Sequence, residues 1–265
     1  MATLFDATLE LARFCSDCLS GIATGGTTQG LSDSSLTAPA DKYKDGTVFI
    51  TSGANMGKTA IVDTQMEDSI DFKTALSSTI SAGDAYTLAM STFPLYRLQE
   101  AVNAAISHIL ISKTDQTLTV SNLTNILTLP AGVSDVRRVE IAGQSTAPFY
   151  FAPIYSWFER GGTIEISSGM LAEDNLMPIR LTYASEHGPV TGSAVINPCI
   201  LSEYVKAAAA VYLWRNILER SHKDNPIAMD MLNEAKVLEA QAKIRSFNQA
   251  GNVIPRDVRM QGFNL

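Results

Sequence analysis

The stretch PLYRLQEAVNAAISHI, residues 94–109, shows the clearest periodicity in this sequence and decides the predicted fold class. Its apolar residues recur at steps of three and four, which is the stripe of an amphipathic helix. Pro94 suits the first helical position because its ring fixes φ. The stripe consists of Leu95, Leu98, Val102, Ala105, Ile106 and Ile109. We therefore expect a core helix here, with β-rich segments on both sides of it in the sequence.

Two further helices are expected near the C-terminus, over 198–220 and 226–247. Each follows an Asn-Pro pair, Asn197-Pro198 and Asn225-Pro226, which is typical of a cap and a first turn. Together the two helices predict an αα-hairpin, whose first member is apolar around most of its circumference and should contact several neighbours. A fourth helix is expected over 4–19, with an apolar stripe at Leu4, Thr8, Leu11, Cys15 and Cys18.

Short β-rich runs fill two other parts of the sequence. From Gly46 to Met90 they are separated by turn-forming segments, which predicts a compact antiparallel module. From about 117 to 184 six more runs are punctuated by glycines and suggest a sandwich or a half-open barrel. The segment from Gly21 to Ala40 has no apolar period and is interpreted as a loop or an extended arm.

The predicted fold is therefore α+β, with a small helical core of three to four helices, including the C-terminal αα-hairpin. This core carries two antiparallel β regions and an extended C-terminal arm. The expected boundaries are 1–40 for the N-terminal helix and Thr/Gly-rich loop, 41–92 for the first β module, 93–116 and 197–249 for the helical core, 117–196 for the second β region, and 250–265 for the arm.

Composition excludes several classes of protein. Apolar residues make up 46% of the 265 residues, which is enough for a buried core. Acidic residues outnumber basic ones by 27 to 20, and no run of Lys or Arg marks a site for phosphate backbones. No stretch of about eighteen apolar residues occurs, and the acidic N-terminus is unlike a secretory signal. We expect a soluble protein made in the cytoplasm, without specific nucleic-acid recognition and without a membrane partner.

The segment from Gly53 to Thr59, GANMGKT, is the nearest approach to a phosphate-binding loop. It has three residues between its glycines instead of four, and the strands TVFI and TAIVD flank it where a P-loop needs a following helix. A tight hairpin turn is therefore expected. We also expect no cofactor at this segment.

No catalytic or metal site is predicted. Cys15 and Cys18 form a C-x-x-C pair, but both fall on the expected helix stripe, and no second cysteine pair accompanies them. His108, His187 and His222 are scattered without ligand spacing. The acidic pairs Glu67-Asp68 and Glu173-Asp174 lie in expected loops, where solvated carboxylates are usual. We therefore expect a protein that is not an enzyme.

Two groups of residues are candidates for contacts with other proteins. The last sixteen residues have no helical or strand period but keep apolar side chains and two arginines, which suits an arm that orders on a neighbouring surface. The expected docking residues are Val253, Ile254, Arg256, Val258, Arg259, Met260, Phe263 and Leu265. The second group is aromatic and is interpreted as core packing, with exposure as the alternative. It consists of Phe149, Tyr150, Phe151, Tyr155, Trp157 and Phe158.

The sequence resembles known proteins of tailed-phage particles. DKYKDGTVFITSGANMGKTAIVDTQ from 41 to 65, followed by AGDAYTLAM, resembles a β module in which a glycine starts a strand, a second glycine ends it, and Gly-Asp-x-Tyr closes the module. The core helix, then LTLPAGVSDVRRVEIA at 127–142, IRLTYASEHGP at 179–189 and the alanine-rich helix at 203–214 are similar, in this order, to a phage neck protein of the connector or adaptor type.

This resemblance spans about 40 to 245 and implies a virion structural protein. Members of such a family form a ring, commonly of twelve copies, under the portal at the capsid vertex. The ring joins the portal to a tail-proximal neck or tail protein and extends the channel, through which double-stranded DNA passes as non-specific cargo. The implied location is the virion, after assembly in the host cytoplasm.

Two other functions stay open at this point. A tail or receptor-attachment protein would use exposed aromatic side chains to bind a glycan or another tail protein. An enzyme with an unrecognised site would need a nucleophile, a base and an orienting group, which the sequence does not bring together.

Overall fold

The computed structural model of the chain describes residues 2–107, 109–121, 123, 125–144, 147–167, 176–192, 194–198, 200–220 and 225–249. The chain forms two compact units. The first comprises Met1–His108 and Gly188–Ser246, and the second comprises Ile109–His187 and Phe247–Leu265.

Unit 1 contains four helices within the described residues: α1 (Leu4–Cys15), α2 (Leu95–Ser107), α3 (Ser202–Arg220) and α4 (Pro226–Gln249, which ends just beyond the unit). All four expected helices are confirmed, although most of their ends differ from the expected ones. Helix α1 stops at Cys15 because Ser16 turns to an extended conformation. Helix α3 starts at Ser202, four residues after Pro198.

Local hydrogen bonds explain where two of these helices begin. The hydroxyl of Thr3 accepts a bond from the Asp6 N–H, and the Asp6 carboxylate accepts one from the Thr3 N–H, so the two residues form a capping box. The side chain of Asn225 accepts a bond of 3.0 Å from the N–H of Ala228 at the start of α4. Helices α1, α2 and α3 pack on one another. Arg245, near the end of α4, pairs with Glu203 in the first turn of α3, so these two helices are antiparallel.

The first seven strands form one antiparallel sheet in unit 1. They are β1 (Cys18–Ile22), β2 (Gly25–Gly26), β3 (Gly30–Ser32), β4 (Thr47–Ile50), β5 (Thr59–Gln65), β6 (Ser69–Phe72) and β7 (Ala85–Ala89). The strand order is β1-β7-β4-β5-β6-β3-β2. Strands β1 and β2 lie at opposite ends of this order, yet only Ala23 and Thr24 separate them in the sequence. The sheet must therefore curl back on itself.

Each surface of the curled sheet buries apolar side chains. Inside the curl, Val48, Ile50, Val62, Ile70 and Leu88 belong to one buried cluster. Helix α1 covers the other surface near β4 and β7. Its Phe5 ring meets the Phe49 ring edge-on with 5.7 Å between centroids, and its Arg13 donates to the Thr87 hydroxyl at 3.2 Å.

Unit 2 contains two antiparallel sheets. The larger has the order β12-β11-β15-β8, with β9 also paired to β15, and the smaller has the order β10-β14-β13. These strands are β8 (Leu110–Asp115), β9 (Thr119–Val120), β10 (Ile126–Thr128), β11 (Val136–Ala142), β12 (Phe151–Ile154), β13 (Trp157–Arg160), β14 (Thr163–Ile166) and β15 (Met177–Glu186). One buried cluster draws on both sheets, with Val139 and Leu181 from the larger and Ile164 and Ile166 from the smaller.

The predicted fold class, a small helical core with two antiparallel β regions, is wrong. Strands are the commonest elements of the described residues, which form three antiparallel sheets of seven, five and three strands beside the four helices. Residues 21–40, predicted as a loop or an arm, contribute to β1, β2 and β3, whose two to five residues are too short for a visible alternation. Residues 110–115, expected to belong to the helical core, form strand β8. The predicted C-terminal arm, 250–265, lies outside the described residues.

Candidate interaction surfaces

The predicted docking arm contributes nothing to a described surface. All eight of its residues, Val253, Ile254, Arg256, Val258, Arg259, Met260, Phe263 and Leu265, lie outside the described residues. Glu173 and Asp174 do as well.

The P-loop-like segment is a hairpin connection, as expected. Strands β4 and β5 pair antiparallel on its two sides, and Gly53 and Gly57 have φ values of 79° and 81°. The side chain of Asn55 is fully buried and donates to the carbonyl of Ser78 at 2.8 Å, while its oxygen accepts from the Ser78 N–H at 3.1 Å. Through these bonds the segment holds the neighbouring 77–79 loop. The backbone N–H groups of the segment donate to carbonyl groups within the hairpin.

The two described cysteines do not share a helix. Cys15 ends α1, whereas Cys18 begins β1, so the prediction of two sulfurs on one helical stripe is wrong. Burial raises the pKa of the Cys15 thiol to about 12, and the Trp214 indole beside it opposes the rise only in part. Burial also raises the pKa of Cys18. High thiol pKa values keep both groups protonated and poorly nucleophilic near neutral pH.

No cluster of His, Cys, Asp and Glu suited to a metal ion occurs among the described residues. His187 is buried in unit 2, and His108 and His222 lie outside the described range. In the same part of the chain, none of the helices combines the length and the apolar character needed to cross a bilayer.

The aromatic group is mostly exposed, so its interpretation as core packing is wrong for four of its six members. Phe149, Tyr150, Tyr155 and Phe158 are exposed, and only Trp157 belongs to the buried cluster of unit 2. The register explains part of this difference. Trp157 faces the core, and Phe158, the next residue along β13, points to the opposite surface, where it lies across from Glu165. Ile126, also exposed, flanks Glu165 on its other side.

A charged row crosses the larger sheet of unit 2. Glu140 on β11 is buried and pairs with two arginines, Arg138 at 3.0 Å and Arg180 on the opposite strand. The hydrogen bond to Glu140 raises the pKa of the Arg180 guanidinium, which also lies 4.6 Å from the centre of the Phe151 ring. One carboxylate is thus held by two cations, one of which stacks on an aromatic ring.

Helix α4 carries apolar side chains on two opposite faces. One face is buried and contains Ala228, Leu232, Ala235 and Ala242. The opposite face, which we call the outer stripe, follows steps of three and four through Met229, Asn233, Val237, Ala240 and Ile244. Its three large apolar side chains, Met229, Val237 and Ile244, are 40%, 57% and 64% exposed. Sequence reasoning overlooked this stripe, although its spacing is visible in the printed sequence.

A groove opens beside α1, between this helix and the β4–β5 hairpin turn. It has a volume of about 260 Å³, and we call it the α1 groove. Its lining combines apolar side chains with two carboxylates and one guanidinium. The lining residues are Phe5, Asp6, Leu9, Glu10, Arg13, Thr51 and Met56. Glu10 pairs with Arg13 at 3.2 Å but stays half exposed, so it can accept a further cation.

No protein-family model matches the sequence, and no curated protein is similar to it. The function is therefore inferred from the surfaces described above and from the resemblance of residues 41–89, 95–109, 127–142, 179–189 and 203–214.

Proposed function

We propose that this chain is a virion structural protein of a tailed phage, a connector of the adaptor type that forms a ring between the capsid portal and the tail. The observation that carries this proposal is the outer stripe of α4. A helix with apolar residues on both faces is typical of a helix that is covered on both sides in its working assembly. An apolar stripe on the surface favours contact with a partner, because the contact removes apolar surface from water.

The order of the resembling segments supports the same function. Four elements follow one another in the order expected of a neck protein. They are the glycine-bounded strand β4, the core helix α2, the strand entry at β11 and the alanine-rich helix α3. In the proposed ring each copy contacts two neighbours through different faces, because heterologous contacts are those that close a ring. The partners are further copies, commonly twelve in this family, the portal, and a tail-proximal protein.

The proposal assigns the chain no catalytic role, no cofactor and no membrane contact. DNA is a cargo that passes through the channel without sequence recognition. The acidic balance of the chain, with a net charge of -7, suits this role because like charges keep phosphates from adhering to the protein. Assembly takes place in the host cytoplasm, and the finished location is the virion.

Electron microscopy of negatively stained, purified protein tests this function, with and without purified portal. We expect closed rings, or a ring attached to one end of the portal. A protein that stays monomeric in both preparations would contradict the proposal. Salt screens contacts between exposed charges, so a ring that is held partly by such contacts should dissociate to a limited extent at high salt.

A tail or receptor-attachment protein is the second candidate, and the exposed aromatic side chains favour it. Phe149, Tyr150, Tyr155 and Phe158 present rings to solvent, as surfaces that stack on sugars or on other proteins do. A glycan array separates the two functions. Specific glycan binding that is lost in a Tyr150→Ala variant would favour attachment over the connector.

A further inference from the structure

We propose that the outer stripe of α4 in one copy docks into the α1 groove of the next copy, and that this contact joins the subunits of the ring. The inference rests on the proposed function and specifies which two faces meet. The occupant of the groove is thus a second copy of this chain.

The outer stripe has the form of a docking helix. Val237 and Ile244 are seven residues apart, so they lie two turns apart on one face, and Met229 and Ala240 extend the same face. Val237 and Ile244 are each more than half exposed. Burying these side chains against another protein removes apolar surface from water, which favours association.

The α1 groove has the matching chemistry. Phe5, Leu9 and Met56 provide apolar lining for a branched side chain, and Asp6 and Glu10 place carboxylates beside it. Met56 is itself 70% exposed at the tip of the β4–β5 turn, so the groove has an apolar rim that a neighbour would cover.

Charges on α4 agree with this pairing. Lys236 and Lys243 follow the outer stripe along one flank, and neither forms an ion pair within the described part of the chain. Lys243 is adjacent to Ile244 in the sequence. When Ile244 enters the groove, the ammonium group of Lys243 comes within reach of the carboxylates of Asp6 and Glu10.

The same charges disfavour the simplest alternative, an antiparallel pair of two outer stripes. In an antiparallel helix pair the equivalent flanks of the two helices meet, so the lysine flanks of both copies would oppose each other. Pairing of the stripe with the groove brings lysines to carboxylates instead. It also joins two different faces, which is the geometry that a ring requires.

Mass photometry and sedimentation velocity of the full chain test the inference with four variants. Ile244→Ser should weaken assembly about tenfold or more, since it removes one large apolar contact. Ile227→Ser is the matched control, because Ile227 is 72% exposed on the same helix but lies off the outer stripe. Lys243→Glu should weaken assembly, and adding Glu10→Lys to it should restore part of the loss.

The outcomes separate this inference from the proposed function. If the wild type forms rings and Ile244→Ser and Lys243→Glu form them equally well, the inference is overturned while the proposed function stands. If Ile227→Ser loses assembly as much as Ile244→Ser does, the stripe has no special role and the inference is also overturned. A wild type that forms no ring, alone or with portal, contradicts the proposed function itself. Circular dichroism confirms that each variant is folded.

Discussion

The phenol of Tyr86 on β7 donates a hydrogen bond of 2.6 Å to the carboxylate of Asp33, and each residue is only 2% exposed. Ser35 donates two further bonds to the same carboxylate, from its N–H at 2.8 Å and from its hydroxyl at 2.6 Å. The segment after β3 is thereby fixed to β7, the second strand in the order of the curled sheet. The Asp33 carboxylate is buried, but it accepts three hydrogen bonds.

Replacement of Tyr86 by phenylalanine should destabilise the protein by about 2 kcal/mol, because a buried charged acceptor loses one of its donors. The free energy of unfolding in a denaturant titration measures the effect. Tyr155→Phe serves as the control, since Tyr155 is exposed and its hydroxyl reaches water. Equal stabilities of the two variants would show that the Tyr86 bond contributes nothing beyond an ordinary surface hydroxyl.

Stability should fall in acid, and Asp33 should account for part of the fall. Burial raises the pKa of Asp33, but the bonds from Ser35 and Tyr86 lower it more, so the folded-state pKa lies below the usual 3.8. A carboxyl with a lowered pKa stabilises the fold above the unfolded-state value and loses that effect as pH falls through the folded-state value.

The test compares the free energy of unfolding of the wild type and of Asp33→Asn from neutral pH down to acid pH. The variant should be less stable at neutral pH and should lose less stability on acidification. Parallel curves for the two proteins would exclude Asp33 as a source of the acid sensitivity.

Two glycines of the β4–β5 turn should respond differently to alanine. Both have positive φ, so each Ala variant should lose about 1 kcal/mol of stability because alanine disfavours this backbone conformation. A Cβ at Gly53 would also overlap the Asp84 carboxylate, whereas a Cβ at Gly57 would meet nothing within 4 Å. Gly53→Ala should therefore cost about 2–4 kcal/mol in total. Thermal unfolding of both variants checks the order, and a Gly57→Ala that is the less stable of the two would contradict it.

The cysteines should differ in their reaction with iodoacetamide. Burial raises the pKa of Cys15 to about 12, so its thiolate fraction and its access to reagent are both low. Cys18 is only partly buried and should be alkylated first, while Cys15 should react only when the protein unfolds. Peptide mass spectrometry of a Cys199→Ser variant, with time points in buffer and in denaturant, measures the two rates. Equal rates in buffer would show that the end of α1 opens readily.

The helices were predictable because their apolar periods extend over several turns. Helix α2 contains five of the six apolar positions of the predicted stripe, and the Asn225-Pro226 pair marks the start of α4 correctly. Periodicity in a single sequence does not reveal which polar or apolar faces remain uncovered. The outer stripe of α4 therefore went unnoticed beside the face that packs in unit 1.

The sheets were less predictable, for physical reasons that differ from place to place. Strands β2 and β3 contain only two and three residues. They form because they pair with neighbouring strands such as β6, and not because of local propensity. Strand β8 follows α2 almost directly and carries no clear alternation, because most of its residues are exposed. The exposure of Phe158 depends on its register against Glu165, which only the assembled sheet defines.

Strand β1 pairs with β7, so Cys18 lies across from Ala89. During synthesis on the ribosome the first strand must wait until residues 85–89 have emerged before its partner exists, and until then its edge stays open. While this edge is open, it favours premature pairing of β1 with another nascent chain on the same polysome. Helix α1 faces the same delay, because β4 and β7, whose surface it covers, also lie later in the sequence.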